Sequence, residues 1–252
     1  MRLRLIRNAT LLVKLAGRCV LVDPMLDPAG ARPPLDDTPN QVRNPLCDLP
    51  EPAEIVVSGL DAVIVTHLHT DHLDATAIEL VPKTPPVFCQ PEDADTLRGH
   101  GFADVRPVED VLDWDGIRIT RTGGHHGTGR IGELMAPVSG FVLAPDDEPA
   151  LYLAGDTIWC DEVRDALDEH RPGAIVVNAG GARFLEGGPI VMTADDVVAV
   201  ARHAPGTRVV AVHMEAINHC LLTRADLHQR VHEEHLHDRV TVPENGAEVP
   251  LP

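Results

Sequence analysis

The stretch AVIVTHLHTDHLD, residues 62–74, combines a short apolar run with a dense group of side chains that can bind metal. Its first four residues are apolar and mostly β-branched, which predicts a buried strand. Four potential ligands follow the strand within six positions: His67, His69, Asp71 and His72. Alternate side chains of an extended backbone point the same way, so we expect His67 and His69 to face one metal ion. Asp71 and His72 come where the backbone turns towards a helix, so they should face a point beside that ion. Imidazole and carboxylate together suit zinc, manganese or iron.

The segment His67-Leu68-His69-Thr70-Asp71-His72 resembles the signature of the metallo-β-lactamase superfamily of binuclear metal hydrolases. The resemblance extends from the N-terminal strands to His213. It implies an α/β fold of the metallo-β-lactamase type, a four-layer αββα sandwich in which two sheets face each other and helices cover them. Within the superfamily the sequence is most similar to the branch of ascorbate-6-phosphate lactonase-like and phosphodiesterase-like hydrolases.

The resemblance also implies the remaining ligands. The loop GGHHGTG, residues 123–129, carries two adjacent histidines, and the family pattern of a ligand before glycine favours His126, with His125 as the alternative. Asp156 follows a predicted strand and would bridge the two ions; a helix N-cap is the other reading of this aspartate. His213 follows the last predicted core strand and would complete the second ion, unless it is a buried structural histidine.

The implied first site is thus His67, His69 and His126, and the second is Asp71, His72 and His213, with Asp156 joining them. The expected cofactor is two divalent metal ions, Zn²⁺ first, with Mn²⁺ or Fe²⁺ as alternatives. Two cations would lower the pKa of a shared water from about 15.7 towards neutrality and so supply hydroxide. Asp71 and His213 are the catalytic candidates, and Asp71 could orient the nucleophile or carry its proton.

This chemistry predicts hydrolysis of an ester, lactone, amide or phosphodiester of a small molecule. Two alternatives stay open: a mononuclear iron redox enzyme on the same fold, and a non-catalytic metal-binding module.

Five further residues near the predicted strand ends could support the site or face the substrate. Asp23 follows an early strand and is expected to support the fold near the site. Asn178 and Arg183 lie in or after a loop that could touch substrate. Glu215 and His219 follow His213 closely, and either could support a ligand or face substrate, which their spacing does not decide.

The chain alternates predicted strands and helices, as an α/β fold requires. The clearest of these elements are the strands Arg2–Arg7, Ala174–Val177 and Arg208–Val212 and the helices Asp161–His170, Thr193–His203 and Thr223–His235. Residues 27–54 are rich in proline and aspartate, which predicts a long irregular loop. The resemblance implies that this loop lies over the active site, and a plain surface loop is the alternative. The tail after Val242 is expected to be loosely held.

Composition limits the remaining choices. A chain of 252 residues fits a single hydrolase domain over residues 1–252. A net charge of −18 argues against nucleic acid as a partner, and no apolar run is long enough to span a membrane. Five widely spaced cysteines form no disulfide framework, which favours the cytoplasm. The expected partner is a small-molecule substrate, and a homo-oligomer stays open.

Overall fold

The computed structural model describes every residue from Met1 to Pro252 and contains two seven-stranded β-sheets. The strands of the first sheet are β1 (Arg2–Arg7), β2 (Thr10–Leu15), β3 (Arg18–Val22), β4 (Ala62–Val65), β5 (Val87–Cys89), β6 (Val105–Pro107) and β14 (Glu248–Pro250). Their spatial order is β14-β1-β2-β3-β4-β5-β6. The pairs from β14 to β3 are antiparallel, and those from β3 to β6 are parallel.

The second sheet repeats this plan. Its strands are β7 (Val111–Trp114), β8 (Ile117–Thr122), β9 (Gly140–Pro145), β10 (Leu151–Leu153), β11 (Ala174–Asn178), β12 (Arg208–Val212) and β13 (Val240–Thr241). Their order is β13-β12-β11-β10-β9-β8-β7. The pairs from β13 to β10 are parallel, and those from β10 to β7 are antiparallel.

Seven α-helices accompany the sheets: α1 (Ala53–Val56), α2 (Ala75–Leu80), α3 (Ala94–Gly99), α4 (Gly129–Met135), α5 (Asp161–His170), α6 (Ala194–His203) and α7 (Arg224–Glu233). Apolar residues of α1, α2 and α3 share a cluster with the first sheet, and those of α5, α6 and α7 share one with the second. None of the helices has the length and apolar character needed to cross a bilayer.

The two sheets pack against each other through a cluster of 24 buried residues, among them Val13 and Ile64 from the first sheet and Phe141 and Val210 from the second. The side chains of strand β4 pack into two different layers of the fold. Its alternate residues Ala62 and Ile64 enter this central cluster, whereas the residues between them pack towards the helices. The four-layer αββα sandwich of the prediction is confirmed.

The predicted helices and strands correspond closely to the observed ones, and Thr193 caps α6 by accepting a hydrogen bond from the Asp196 backbone N–H. Besides the tail strand β14, four elements were not predicted from the sequence: the short helices α1 and α4 and the strands β7 and β13. Strand β7 was not predicted, because its two exposed positions are one apolar and one acidic residue, Val111 and Asp113, and show no apolar–polar alternation. The Asp115–Gly116 turn after the strand was its only signal in the sequence. The prediction of a loose tail is wrong, because β14 pairs with β1 and Val249 is buried in the central cluster.

Candidate metal centre

The predicted ligands lie at the carboxyl ends of strands in both sheets. His67 follows β4, His126 lies in the loop after β8, Asp156 follows β10 and His213 follows β12. The backbone N–H of His213 donates to the carbonyl of Asn8 over 3.0 Å, which joins the end of β12 to the end of β1. Parallel strands direct their carboxyl ends to one edge of a sheet, so four distant parts of the chain meet there.

The side chains form two groups of potential metal donors. The first group is His67, His69 and His126, and the second is Asp71, His72, Asp156 and His213. Within each group the donor atoms lie within 4.8 Å of one another. These seven residues are the seven that the sequence singled out, and the structure divides them as the resemblance implied, with Asp156 in the second group.

Asp156 lies between the two groups. Its Oδ2 atom is 3.3 Å from Nε2 of His72 in one group and 3.4 Å from Nε2 of His126 in the other. Gly155 makes this approach feasible, because it adopts a φ of +70° and a Cβ there would lie 2.6 Å from the Ser139 carbonyl oxygen. A residue with a side chain would push the Asp156 loop away from the centre.

A buried ring nitrogen without a hydrogen-bond partner indicates that the donor set fits a metal ion. Nε2 of His72 is fully buried and has no hydrogen-bond partner, although it points towards two carboxylates. In the first group, Nε2 of His67 faces Nδ1 of His69 at 2.9 Å. A buried ring nitrogen without a partner is costly, and coordination to a cation would satisfy it.

Neighbouring groups hold these histidines in one orientation. Asp23 accepts a hydrogen bond from Nδ1 of His72 at 2.8 Å, and the Ile190 carbonyl accepts one from Nδ1 of His126 at 2.6 Å. In each ring the opposite nitrogen, Nε2, is thereby left as the lone-pair donor towards the centre. Asp23 also accepts from the Thr66 backbone N–H and hydroxyl, so the expectation that it supports the site is met by a specific contact.

Two asparagines hold the carboxylates. Asn178 donates to Oδ1 of Asp156 at 2.6 Å, and Asn8 donates to the backbone oxygen of Asp71 at 3.2 Å. The sequence flagged Asn178 only as a residue that could touch substrate. It gave no signal for Asn8, whose contact depends on β1 lying beside a loop 63 residues away in sequence.

The charges of the second group favour a cation. Burial by itself would raise the pKa of Asp156, but His213 and His72 outweigh it and hold that pKa well below its usual range. Burial would lower the pKa of His72, yet the surrounding carboxylates, Asp156 first, raise it well above its usual value. In the first group, burial lowers the pKa of His67 and of His69. One group therefore concentrates negative charge that attracts cations, and the other offers neutral imidazoles.

Other candidate residues lie outside the two groups. The His125 side chain is 54% exposed, and its Nε2 pairs with Glu162, so His126 is the histidine of this pair that joins the cluster. Glu215 forms an ion pair with Arg224 at 2.5 Å, which gives it a structural role. Arg183 contacts the centre through no side-chain hydrogen bond or ion pair; its backbone N–H donates to the His219 carbonyl.

The proline-rich segment lies beside the centre. Arg32 donates to the Thr70 backbone oxygen at 2.5 Å, next to Asp71, and the Leu46 backbone N–H donates to the Ala216 carbonyl. A crevice of about 30 Å³ between this segment and Asp71 is lined by Arg32 and Asn44 among others. Arg7 of strand β1 holds the segment in place, because its buried guanidinium donates hydrogen bonds to three backbone carbonyls, those of Met25, Asp27 and Cys47.

An apolar pocket of about 470 Å³ lies next to the centre, between α4 and residues 184–186. Its lining is Asp37, Ile131, Leu134, Met135, Phe184, Leu185 and Glu186. The pocket is tied to the centre at two points. Helix α4 begins directly after the His126 loop, and the Phe184 ring lies 6.1 Å from the ring of His219. None of the seven predicted ligands lines this pocket itself, and none lines a larger cavity of about 620 Å³ near α6 and α7.

Comparison with known proteins gives the same assignment. Residues 18–214 match the family described as Beta-lactamase superfamily domain. The chain belongs to the metallo-β-lactamase superfamily of metal-dependent hydrolases. It is 39% identical to UPF0173 protein YddR of Bacillus subtilis (strain 168) over 249 residues, 98% of each chain. The finer placement near ascorbate-6-phosphate lactonases stays a prediction.

Two solved structures share the whole fold. An isothiocyanate hydrolase from Delia radicum gut bacteria is 37% identical with a TM-score of 0.94, over 99% of both chains. A possible metal-dependent hydrolase from Veillonella parvula DSM 2008 is 34% identical with a TM-score of 0.96, over 99% of this chain and 98% of the other. This member of the superfamily is therefore an enzyme with a divalent metal cofactor held by a histidine and aspartate cluster.

Proposed function

We propose that this enzyme is a binuclear metal-dependent hydrolase whose two ions are Zn²⁺. The observation that carries the proposal is the position of Asp156, whose Oδ2 atom lies 3.3 and 3.4 Å from histidines of the two donor groups. A carboxylate in that position can join two ions, and the donor set of five imidazoles and two carboxylates suits zinc. We assign the first ion to His67, His69 and His126 and the second to Asp71, His72 and His213.

We further propose that the substrate is an isothiocyanate with an apolar substituent. Two observations support this choice over the phosphodiester alternative. The chain is 37% identical, over 99% of its length, to a protein described as an isothiocyanate hydrolase. The pocket beside the centre is mainly apolar, and its two charged residues, Asp37 and Glu186, are both acidic. Such a pocket favours an uncharged organic group and repels a phosphodiester.

The reaction is R–N=C=S + H₂O → R–NH₂ + COS. Divalent ions in the centre would supply Lewis acidity and lower the pKa of water. The water oxygen forms a bond to the central carbon, the C=N π bond breaks, and its electron pair moves to nitrogen, which takes up one proton of the water to give a thiocarbamic acid. The C–N σ bond of this acid then breaks, the second proton of the water passes to nitrogen, and the amine and COS are released. Neighbouring His72 and His213 hold the pKa of Asp71 well below its usual range although burial opposes them. Asp71 therefore stays ionised and can orient the attacking water by accepting a hydrogen bond.

Metal content and substrate preference test this function together. Elemental analysis of protein purified without added metal or chelator should find about two zinc ions per chain. Turnover should then be compared for phenyl and alkyl isothiocyanates, a p-nitrophenyl ester, a lactone and bis(p-nitrophenyl) phosphate. We expect kcat/KM to be highest for the isothiocyanates, with one amine released for each molecule consumed. Faster cleavage of the phosphodiester would contradict the substrate proposal, and a single iron would contradict the binuclear zinc centre.

A further inference from the structure

His219 is a buried histidine outside both donor groups. Its side chain is 5% exposed, and its Nδ1 atom is buried with no hydrogen-bond partner. Nε2 makes no side-chain hydrogen bond either, and it is not among the fully buried atoms that lack a partner. Buried polar atoms in proteins are nearly always paired, so an unpaired ring at this place indicates an interaction with something outside the chain.

The position of His219 connects the metal centre to the apolar pocket. On one side, its ring lies 6.1 Å from the ring of Phe184, which lines the pocket. On the other side, Sγ of the adjacent residue, Cys220, lies 3.5 Å from Nδ1 of His213, a member of the second donor group. A substrate with its apolar substituent in the pocket and its reacting carbon at the centre would pass this ring.

The chemistry of the ring follows from its burial. Burial lowers the pKa of His219 to about 4, so the imidazole is neutral at neutral pH and carries a single N–H. No acceptor faces Nδ1, so a proton there would be a buried donor without a partner. The tautomer with its proton on Nε2 leaves Nδ1 as a buried lone pair and presents the N–H from the nitrogen that is not fully buried.

We propose that His219 contacts the substrate and donates a hydrogen bond from Nε2 to the isothiocyanate nitrogen as negative charge builds there. The contact stabilises the electron pair that leaves the C=N π bond, while the two protons that nitrogen finally gains both come from the consumed water. The identity of the substrate nitrogen rests on the proposed function, whereas the donor role of His219 rests on the ring itself. A fixed donor aimed at developing charge lowers the barrier more than it tightens substrate binding.

The test compares His219→Ala with His219→Gln, which restores an N–H donor. In zinc-loaded enzyme we expect His219→Ala to lower kcat about 10²- to 10³-fold with a change in KM of only about threefold, as for other single donors to developing charge. His219→Gln should recover part of kcat. His125→Ala is the matched control, because it removes a histidine beside a predicted ligand but outside the donor groups. Its kcat should stay within about twofold of the wild type.

A second readout separates this proposal from the proposed function. Thiocyanate is a linear anion with the same three heavy atoms as the reacting group, and its binding to Co²⁺-loaded protein can be followed in the visible spectrum. We expect His219→Ala to weaken thiocyanate binding about tenfold with unchanged cobalt content. Such weakening in a protein that does not hydrolyse isothiocyanates would refute the substrate and retain the donor role. Unchanged thiocyanate affinity, or kcat within about threefold of the wild type in an active enzyme, would refute the role of His219.

Discussion

Replacement of Asp23 by asparagine should weaken the second metal ion without removing any ligand. Oδ2 of Asp23 lies 2.8 Å from Nδ1 of His72, and the Thr66 hydroxyl donates to the same oxygen at 2.8 Å. In Asp23→Asn, Oδ1 can still accept the Thr66 backbone N–H, which leaves the amide nitrogen facing His72. Two N–H groups would then oppose each other, so His72 must move its proton to Nε2, the atom that faces the centre.

The size of the effect follows from this change of tautomer. A histidine that is protonated on its coordinating nitrogen cannot bind metal, and loss of such an orienting contact typically costs about 10- to 100-fold in metal affinity. That range corresponds to about 1.4–2.7 kcal/mol of binding free energy. The loss should be largest for the ion held by Asp71, His72 and His213, because Asp23 contacts His72 directly and reaches His67 of the first group only through the Thr66 hydroxyl.

The assay is a titration of metal-free protein with Zn²⁺ against a chromophoric chelator, which resolves a tight and a weakened site. Asp61→Asn is the matched control: Asp61 likewise accepts a backbone hydrogen bond, from Cys19 at 2.8 Å, but at the opposite end of β3. Thermal unfolding of both variants without metal reports any general loss of stability. If Asp23→Asn binds both ions within twofold of the Asp61→Asn protein, the argument from the His72 tautomer is wrong.

Three further substitutions have clear expected outcomes. Asp156→Ala should strip at least one ion and abolish turnover while the fold stays intact, and full metal content with retained activity would overturn the binuclear centre. His126→Ala should lose metal from the first group whereas His125→Ala should not, which elemental analysis of the two proteins decides directly. Arg7→Ala leaves three buried carbonyls without their donor and should lower the free energy of unfolding by about 3 kcal/mol. Urea denaturation measures this last loss, and a change below about 1 kcal/mol would show that water replaces the guanidinium at little cost.

Elements whose own residues show a clear apolar pattern could be predicted from the sequence. Strand β4 could be predicted because all four of its residues are apolar, as burial on both faces requires. The choice between His125 and His126 was harder, because adjacent side chains diverge and the sequence does not say which one turns inward. The structure places His126 against the Ile190 carbonyl and leaves His125 with Glu162.

Pairings between distant segments could not be predicted in the same way. The tail strand β14 is only three residues long, and it exists because the edge of β1 offers free hydrogen-bonding groups and Val249 has a place in the core. Asn8 gave no signal either, since its backbone conformation, a φ of 57°, and its contact with Asp71 both depend on tertiary packing.

The types of the candidate ligands, their order and most of the strands that carry them could be predicted from the sequence, because metal chemistry needs particular side chains and buried strands need apolar runs. Tertiary packing was needed to show how these side chains divide into two groups around Asp156 and which neutral residues orient them. It also separated two residues that follow His213: Glu215 is ion-paired with Arg224, whereas Nδ1 of His219 has no hydrogen-bond partner within the chain. The physical reason is that hydrogen-bond partners, burial and charge fields depend on distances in space, which spacing along the chain does not fix.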